Sequence, residues 1–340
     1  QRIAAKGLRV GLITNDQAPE LVDSALLSRG GLKVAEVSGS CFCCNFSGFT
    51  DAIQKVRREA DADVIIAEPV GSCTDLSATI VQPLKRLWRR ELRLAPLSVL
   101  ADPLRLASIL NGGTAGLHPD AAYIYRKQLE ESDVILITKV DLLSPEALAA
   151  LRQRTGSAYP EATILAASSL TGSGVDEWLS YVLTCGSAGL RLAEVDYDVY
   201  AHGEAVLGWL NGTVRLHSEA PVDWDAFVRD FLAALAKQLD GKGYSVGHVK
   251  VAVDSGGRIA AGNLTGNAAT LAVRGGAGLG KGAKLIVNAR VEASPDEIDA
   301  IVRHTLETLT RDKFAVEVAA WRFLQPGRPQ PTHRATRVES

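Results

Sequence analysis

The run Val134-Ile135-Leu136-Ile137-Thr138-Lys139-Val140-Asp141 decides the fold. Its four leading apolar residues, three of them β-branched, are too few for a helix core. They read as a strand buried on both faces. Short apolar runs of the same kind recur on either side: Leu8–Thr14, Val64–Ala67, Leu97–Leu100 and Thr163–Ala166. Helical spacing spans residues 48–60, 74–92, 120–131 and 144–154 between them. Buried strands alternating with helices make crossover units, and so a parallel sheet with helices on both faces, the α/β class. Gln1–Lys6 reads as the last turns of a helix stopped by Gly7.

The pattern changes downstream. Residues 186–194, with Gly186 and Gly189, read as a linker. Beyond it apolar residues recur with period two at Val249, Val251 and Val253, at Leu285, Val287 and Ala289, and at Phe314, Val316 and Val318. One amphipathic helix carries Trp224, Phe227, Phe231, Leu235 and Leu239 at helical spacing. A second opens Ser294-Pro295-Asp296-Glu297, a capping box with Pro at the first helical position. Strand, helix, strand, strand, helix, strand predicts a ferredoxin-like α+β domain over 195–325, following a first domain over 1–185. Residues 326–340, with three prolines and three arginines, read as a tail.

Composition agrees with two domains, since 340 residues exceed the roughly 150 of one. With 46% hydrophobic and 22% charged residues the chain has cores to bury and is not disordered. The net charge of −2 gives no electrostatic reason for a nucleic-acid or membrane-surface partner. No apolar run approaches the ~20 residues of a membrane helix. Five cysteines, three of them within Cys41-Phe42-Cys43-Cys44, point to metal or thiol chemistry in a reducing compartment, the cytoplasm. There is no Met at any position, so the chain is either Met-poor or a piece whose start lies upstream.

Three motifs stand at strand ends. Asp141 can accept paired hydrogen bonds from the guanine N1–H and exocyclic amine, and the Lys139 stem can lie across the base. Thr138-Lys139-Val140-Asp141 thus follows the N-K-x-D logic of GTP-binding domains, with Thr for Asn. A strand running into a capped helix is the plain alternative. Ser168-Ser169-Leu170 follows the next strand, where a backbone N–H can read the guanine O6, or where an ordinary Ser/Gly loop can lead into a helix. Glu68-Pro69-Val70-Gly71 places a carboxylate for Mg²⁺ and a glycine N–H for the γ-phosphate. Order and position suit a ligand at the carboxyl ends of parallel strands.

Cys41, Cys43 and Cys44 are soft donors suited to Zn²⁺ or another thiophilic ion, with a redox pair or inert core thiols as the alternatives. Cys73 and Cys185 are isolated and read as structural. The six histidines are scattered. Gly275-Gly276-Ala277-Gly278-Leu279-Gly280-Lys281-Gly282 fits G-x-x-x-x-G-K. However, Gly282 stands where Ser or Thr should hold Mg²⁺, and a strand rather than a helix follows; an inter-strand loop is the better reading.

In this order the motifs resemble those of the CobW-type GTPases, the CobW/HypB/UreG-like P-loop GTPases that serve as metallochaperones or metal-insertion factors. Ser40-Cys41-Phe42-Cys43-Cys44 matches G-C-x-C-C apart from its first residue. The Asn15–Asp23 segment is similar to N-E-x-G-E-x-x-x-D, with Asp16 for Glu, Ala18 for Gly and Pro19 for the second Glu, a contact that Glu20 could replace. The match covers most of residues 8–180. It implies nucleotide contacts at Asn15, Asp16, Thr138, Lys139, Asp141, Ser168, Ser169 and Leu170. Catalytic roles fall to Glu68 and Gly71, and metal ligation to Cys41, Cys43 and Cys44. The cofactors implied are GTP, Mg²⁺ and Zn²⁺ or another transition metal such as cobalt. The partners implied are a client metalloprotein or metal-insertion enzyme, and a homodimer. A P-loop is expected upstream of Gln1, so the chain as it stands is expected to be a poor GTP hydrolase. A non-hydrolysing metal-binding module on the same scaffold is the second reading.

Overall fold

The computed structural model describes residues 2–16, 22, 27, 33–265 and 271–339. The chain forms two compact units, one of Gln1–Asn15, Ser40–Gly203 and Arg328–Ser340, the other of Asp16–Gly39 and Glu204–Gly327.

In the first unit, α1 (Arg2–Ala5) ends at Gly7, whose φ of 81° is the left-handed stop expected from the sequence. β1 (Val10–Asp16) pairs in parallel with β3 (Val64–Glu68), Val10 opposite Val64 and Thr14 opposite Glu68. β4 (Ser98–Ala101), β5 (Val134–Ile137) and β6 (Thr163–Ala166) form a parallel sheet in that order. All four residues of β5 are buried, as a central parallel strand requires. The edge strands are not: Ile66 on β3 is 40% exposed and Leu100 on β4 is 59% exposed. Leu106, Ile109, Ala122 and Leu129 pack with Ile135 and Ile137, while Val134, Leu136 and Leu165 pack with Trp178 and Tyr181.

The helices are α2 (Phe46–Ala60), α3 (Gln82–Trp88), α4 (Pro103–Leu110), α5 (Pro119–Glu131), α6 (Pro145–Ala158), α7 (Val175–Thr184) and α8 (Tyr197–Ala205). Proline at the first position follows a capping residue in α4 and α6. Asp102 accepts from the Leu104 and Arg105 amides, and Ser144 from that of Ala147. A buried π-helical turn, Ser77–Val81, precedes α3 and shortens the helix read over 74–92. Residues 185–196, which cover the expected linker, are tied down: Gly189 and Leu190 donate their amides to the Asp133 carboxylate. The segment expected to be a tail is also docked. Gly-Arg-Pro-Gln-Pro has no periodicity to announce a partner, yet residues 328–339 lie as an extended strap on the first unit.

The second unit contains β2 (Lys33–Ser38) and an antiparallel sheet. Its strands are β7 (Gly208–Asp223), β8 (Val246–Ser255), β9 (Arg258–Leu264), β10 (Ala272–Gly275), β11 (Leu279–Val291) and β12 (Ala315–Leu324), ordered β10-β9-β8-β11-β7-β12. With α9 (Trp224–Lys242) after β7 and α10 (Pro295–Thr310) after β11, the central order is that of a ferredoxin-like domain, extended by β9 and β10. α9 packs on β8 and β9, and α10 on β7 and β12. Trp224, Phe231, Leu235, Val251, Leu285 and Val302 are among the residues of this core. The Ser294–Glu297 capping box forms as read. The glycine-rich run 275–282 joins β10 to β11, and β11 opens at Leu279. Its Ala277 and Gly278 amides donate to the Asp225 carboxylate, so the loop cradles an anion belonging to the protein itself.

Candidate metal and nucleotide sites

Asn15, at the carboxyl end of β1, shapes the cysteine loop. Its Nδ2 donates to the Ser40 carbonyl at 2.8 Å and its Oδ1 accepts from the Phe42 amide at 3.0 Å. This asparagine, matched by resemblance to a nucleotide contact, has both ends of its amide engaged with the loop. Asp16 ends the same strand; its side chain and residues 17–21 and 23, including Glu20, lie outside the described residues. The loop then turns tightly, with the Cys44 and Asn45 amides donating to the Cys41 carbonyl. Asn45 caps α2 by accepting from Gly48 at 3.0 Å, and Phe42 stacks on Phe49 beneath.

This folding converges the thiols. Cys41 and Cys43 sulfurs are 3.1 Å apart, those of Cys43 and Cys44 3.8 Å, and all three lie within 4.8 Å of one another. Sulfurs bound tetrahedrally at ~2.3 Å from zinc are separated by about 3.8 Å, so the spacing suits such an ion. Electrostatics points the same way. Hydrogen bonds from Cys43 and then Cys44 hold the Cys41 thiol well below its ordinary range. Cys43 is pushed far up by its bond to Cys41, and Cys44 is pushed up to about 11, again chiefly by Cys41. Gathering the thiols couples their ionisation, and metal binding releases protons from such a set.

Sequence reasoning missed the surroundings of this loop. Cys73, read as isolated, is buried in the segment after β3, and its amide donates to the Val70 carbonyl at 2.8 Å. The strap crosses the loop. The Gln330 amide donates to Cys44 Sγ at 3.2 Å, the Thr332 amide to the Cys43 carbonyl at 2.8 Å, and the His333 ring packs edge-on against Phe46. Next to Cys73, Asp75 is buried in the left-handed region at φ 61°. Its Oδ2 accepts from Arg334 Nε at 2.6 Å and from the Tyr197 hydroxyl at 2.7 Å. Burial raises the Asp75 pKa, and these two partners oppose the rise. Below it, Glu131 is wholly buried, accepting from the Ser77 amide at 2.7 Å and the Thr74 hydroxyl at 3.1 Å. Desolvation still pushes its carboxyl up to about 7. Only Gln-Pro-Thr-His and Ser-Cys-Thr-Asp, both polar runs in uninformative contexts, could have signalled these contacts.

Among the motif residues, Glu68 is exposed at the end of β3 and Gly71 is exposed in the following turn. The two loops expected to read the base are brought together. The Thr138 hydroxyl and amide both donate to the Ala101 carbonyl, and Ala167 donates to Ile137 while accepting from Val140. Lys139 takes a left-handed φ of 53° and donates to Asp102 at 2.9 Å. Asp141 is exposed in a 3₁₀ turn. The buried Ser168 hydroxyl accepts from the Leu170 and Thr171 amides, leaving the Ser169 and Leu170 side chains outward. Gly174 closes this loop at φ 70°, where an added Cβ would sit 1.9 Å from the Ala166 oxygen.

Residues 3–166 match the nucleotide-binding domain of the CobW/HypB/UreG family. Over that stretch the first unit is similar to the family. The chain is also similar to hydrogenase maturation factor HypB from Archaeoglobus fulgidus, at 17% identity over 54% of this chain and 77% of that one, with a TM-score of 0.36. Zinc-bound YjiA GTPase from E. coli shows 13% identity over 89% and 99%, with a TM-score of 0.31. No curated protein matches the chain. Among the described residues no helix is long and apolar enough to cross a membrane.

Away from these sites, two of the scattered histidines meet. His118, Asp120 and His202 place donor atoms within 4.8 Å of one another, with His202 Nδ1 2.5 Å from Asp120.

Proposed function

We propose that this protein is a GTP-dependent metal carrier of the cytoplasm: it binds GTP·Mg²⁺ and a transition-metal ion, zinc or cobalt in class, hydrolyses the nucleotide and passes the ion to a client metalloprotein or metal-insertion enzyme. The observation carrying this reading is the convergence of the Cys41, Cys43 and Cys44 sulfurs on a nucleotide-binding domain. Those thiolates hold the cargo ion. Glu68 serves Mg²⁺ or its bound water, and Gly71 offers its amide to the γ-phosphate. Lys139 and Asp141 read the base, and the Ser168–Leu170 loop offers an amide to the guanine O6. Asp141 faces water and Gly71 has open space where a Cβ would stand, which suits ligands entering from solvent. Asn15 acts here through the cysteine loop it clamps.

Loss of the γ-phosphate moves E-x-x-G turns in GTPases. If that turn and the thiols are coupled, metal and nucleotide tighten each other's binding by the same factor, typically 5–150-fold. Zn²⁺ or Co²⁺ titration with GDP and then with a non-hydrolysable GTP analogue is expected to show that difference. Equal metal affinity in the two nucleotide states would remove the carrier mechanism and leave the second reading, a non-hydrolysing metal-binding module.

A further inference from the structure

We propose that His118, Asp120 and His202 form a second metal site, separate from the thiols, for a divalent ion of the zinc, nickel or copper class. Imidazole and carboxylate donors suit such ions, whereas thiolates select softer ones. The three side chains come from two helices of the first unit. His118 caps α5 and Asp120 stands in its first turn, while His202 lies in the last turn of α8. Their donor atoms all lie within 4.8 Å of one another. Both imidazoles turn Nδ1 toward a single atom: His202 Nδ1 is 2.5 Å from Asp120 Oδ2, and His118 Nδ1 is 3.9 Å from the same oxygen. The two rings meet edge to face with centroids 5.3 Å apart. A surface ion pair accounts for one histidine only. The second brings a further lone pair to the same point, because His118 Nδ1 accepts from the Asp120 amide at 3.2 Å and is therefore the bare nitrogen of its ring, the form that ligates a metal.

The backbone holds the two helices close enough for this. An added Cβ at Gly203, next to His202, would stand 2.5 Å from the Asp120 carbonyl oxygen, so α8 meets the start of α5 where only glycine leaves room. Just before α8, the Asp196 amide donates to the Tyr123 hydroxyl of α5 at 2.7 Å. Nitrogen and oxygen ligands at ~2.1 Å from zinc stand about 3.4 Å apart in a tetrahedron. The 2.5 and 3.9 Å separations lie on either side of that value, and a small turn of the Asp120 carboxylate evens them. Three protein donors leave a position for water, and the His202 side chain is 61% exposed. An ion held here is therefore open to exchange with solvent.

Zn²⁺ titration of the full chain, followed by calorimetry, tests this. The unsubstituted chain is expected to take up one equivalent more than His202→Ala, in which affinity at this site falls about tenfold or more. His304→Ala, at an exposed histidine of α10, is expected to change nothing. Loss of an exposed ion pair costs less than about 1 kcal/mol, so His202→Ala keeps its fold. All three chains carry the same cysteines, so the difference between them is independent of whether the thiols bind metal. Histidine ring resonances in the NMR spectrum of the unsubstituted chain give a second readout, with those of His118 and His202 expected to move together as Zn²⁺ is added. Equal zinc uptake by the unsubstituted chain and His202→Ala, or ring resonances that stay in place, would overturn the site and leave His202 and Asp120 an ordinary ion pair.

Discussion

The cysteine pocket and the loops proposed to read the base lie on the same unit but are built to opposite standards. Around the thiols, chain segments far apart in sequence are bonded together: Asn15 to Ser40 and Phe42, Gln330 and Thr332 to the cysteine loop, Arg334 to a buried Asp75. At the other end Lys139, Asp141, Ser169 and Leu170 stand in water, and Leu170 is 65% exposed. On the proposed function, ligand size explains the contrast. A bare ion needs a shell of donors fixed in advance and fits inside a closed pocket. A nucleotide is larger than any gap the packed interior leaves and must meet an open edge at the strand ends.

The contrast can be broken first at the strap. Arg334→Ala strands a buried carboxylate, and such losses cost about 3 kcal/mol; urea unfolding measures it. A cost under about 1 kcal/mol would mean that the strap rests on the pocket without closing it. Glu131 sharpens the comparison through pH. Its folded carboxyl, near 7, lies above the ordinary value, so the folded state keeps a proton that the unfolded chain releases. Stability contributed this way is present below about pH 4.5 and is lost as pH rises through 7, with a slope approaching about 1.4 kcal/mol per pH unit. Glu131→Gln is expected to flatten that slope, because its amide can still accept from Ser77 and donate to Thr74. An unchanged profile across pH 5–7 would place the titrating group elsewhere.

Effects at the open end should be smaller and should fall on binding. Asp141→Asn replaces an acceptor of the guanine amine by a group that can donate to a carbonyl. GTP affinity is expected to drop about tenfold, ~1.4 kcal/mol, with xanthine nucleotides gaining; calorimetry with both nucleotides decides. Lys139→Ala removes an exposed ion pair with Asp102 and should change unfolding free energy by less than about 1 kcal/mol. A larger loss would show that the base-reading turn is braced like the cysteine pocket.

Legibility in the sequence divides along the same line. β5 and β6 were readable to the residue because their apolar runs, Val134–Ile137 and Ile164–Ala166, are too short for a helix core. The ferredoxin-like order followed from period-two runs flanking two amphipathic helices. The loops proposed to read the base are contiguous motifs, and they stand at strand ends as expected. The cysteine pocket was legible only in its contiguous part. Asp75 and Arg334 acquire meaning from each other, 259 residues apart, and no local pattern encodes that pairing. The α4 and α7 helices were missed for a different reason. At 8 and 10 residues they are too short for a strong period, although Asp102-Pro103 offered a cap.

The strap also sets an order of events during synthesis. Gln330 and Thr332 follow Cys44 by 286 and 288 residues. A ribosome adding roughly 5–20 residues per second takes about 15–60 s to cover that distance. For that interval the cysteine loop can already have folded onto β1 and α2 while the segment that covers it does not yet exist. Nascent thiols are then open to whatever ion or oxidant the compartment supplies, and the finished chain is harder to enter than the growing one.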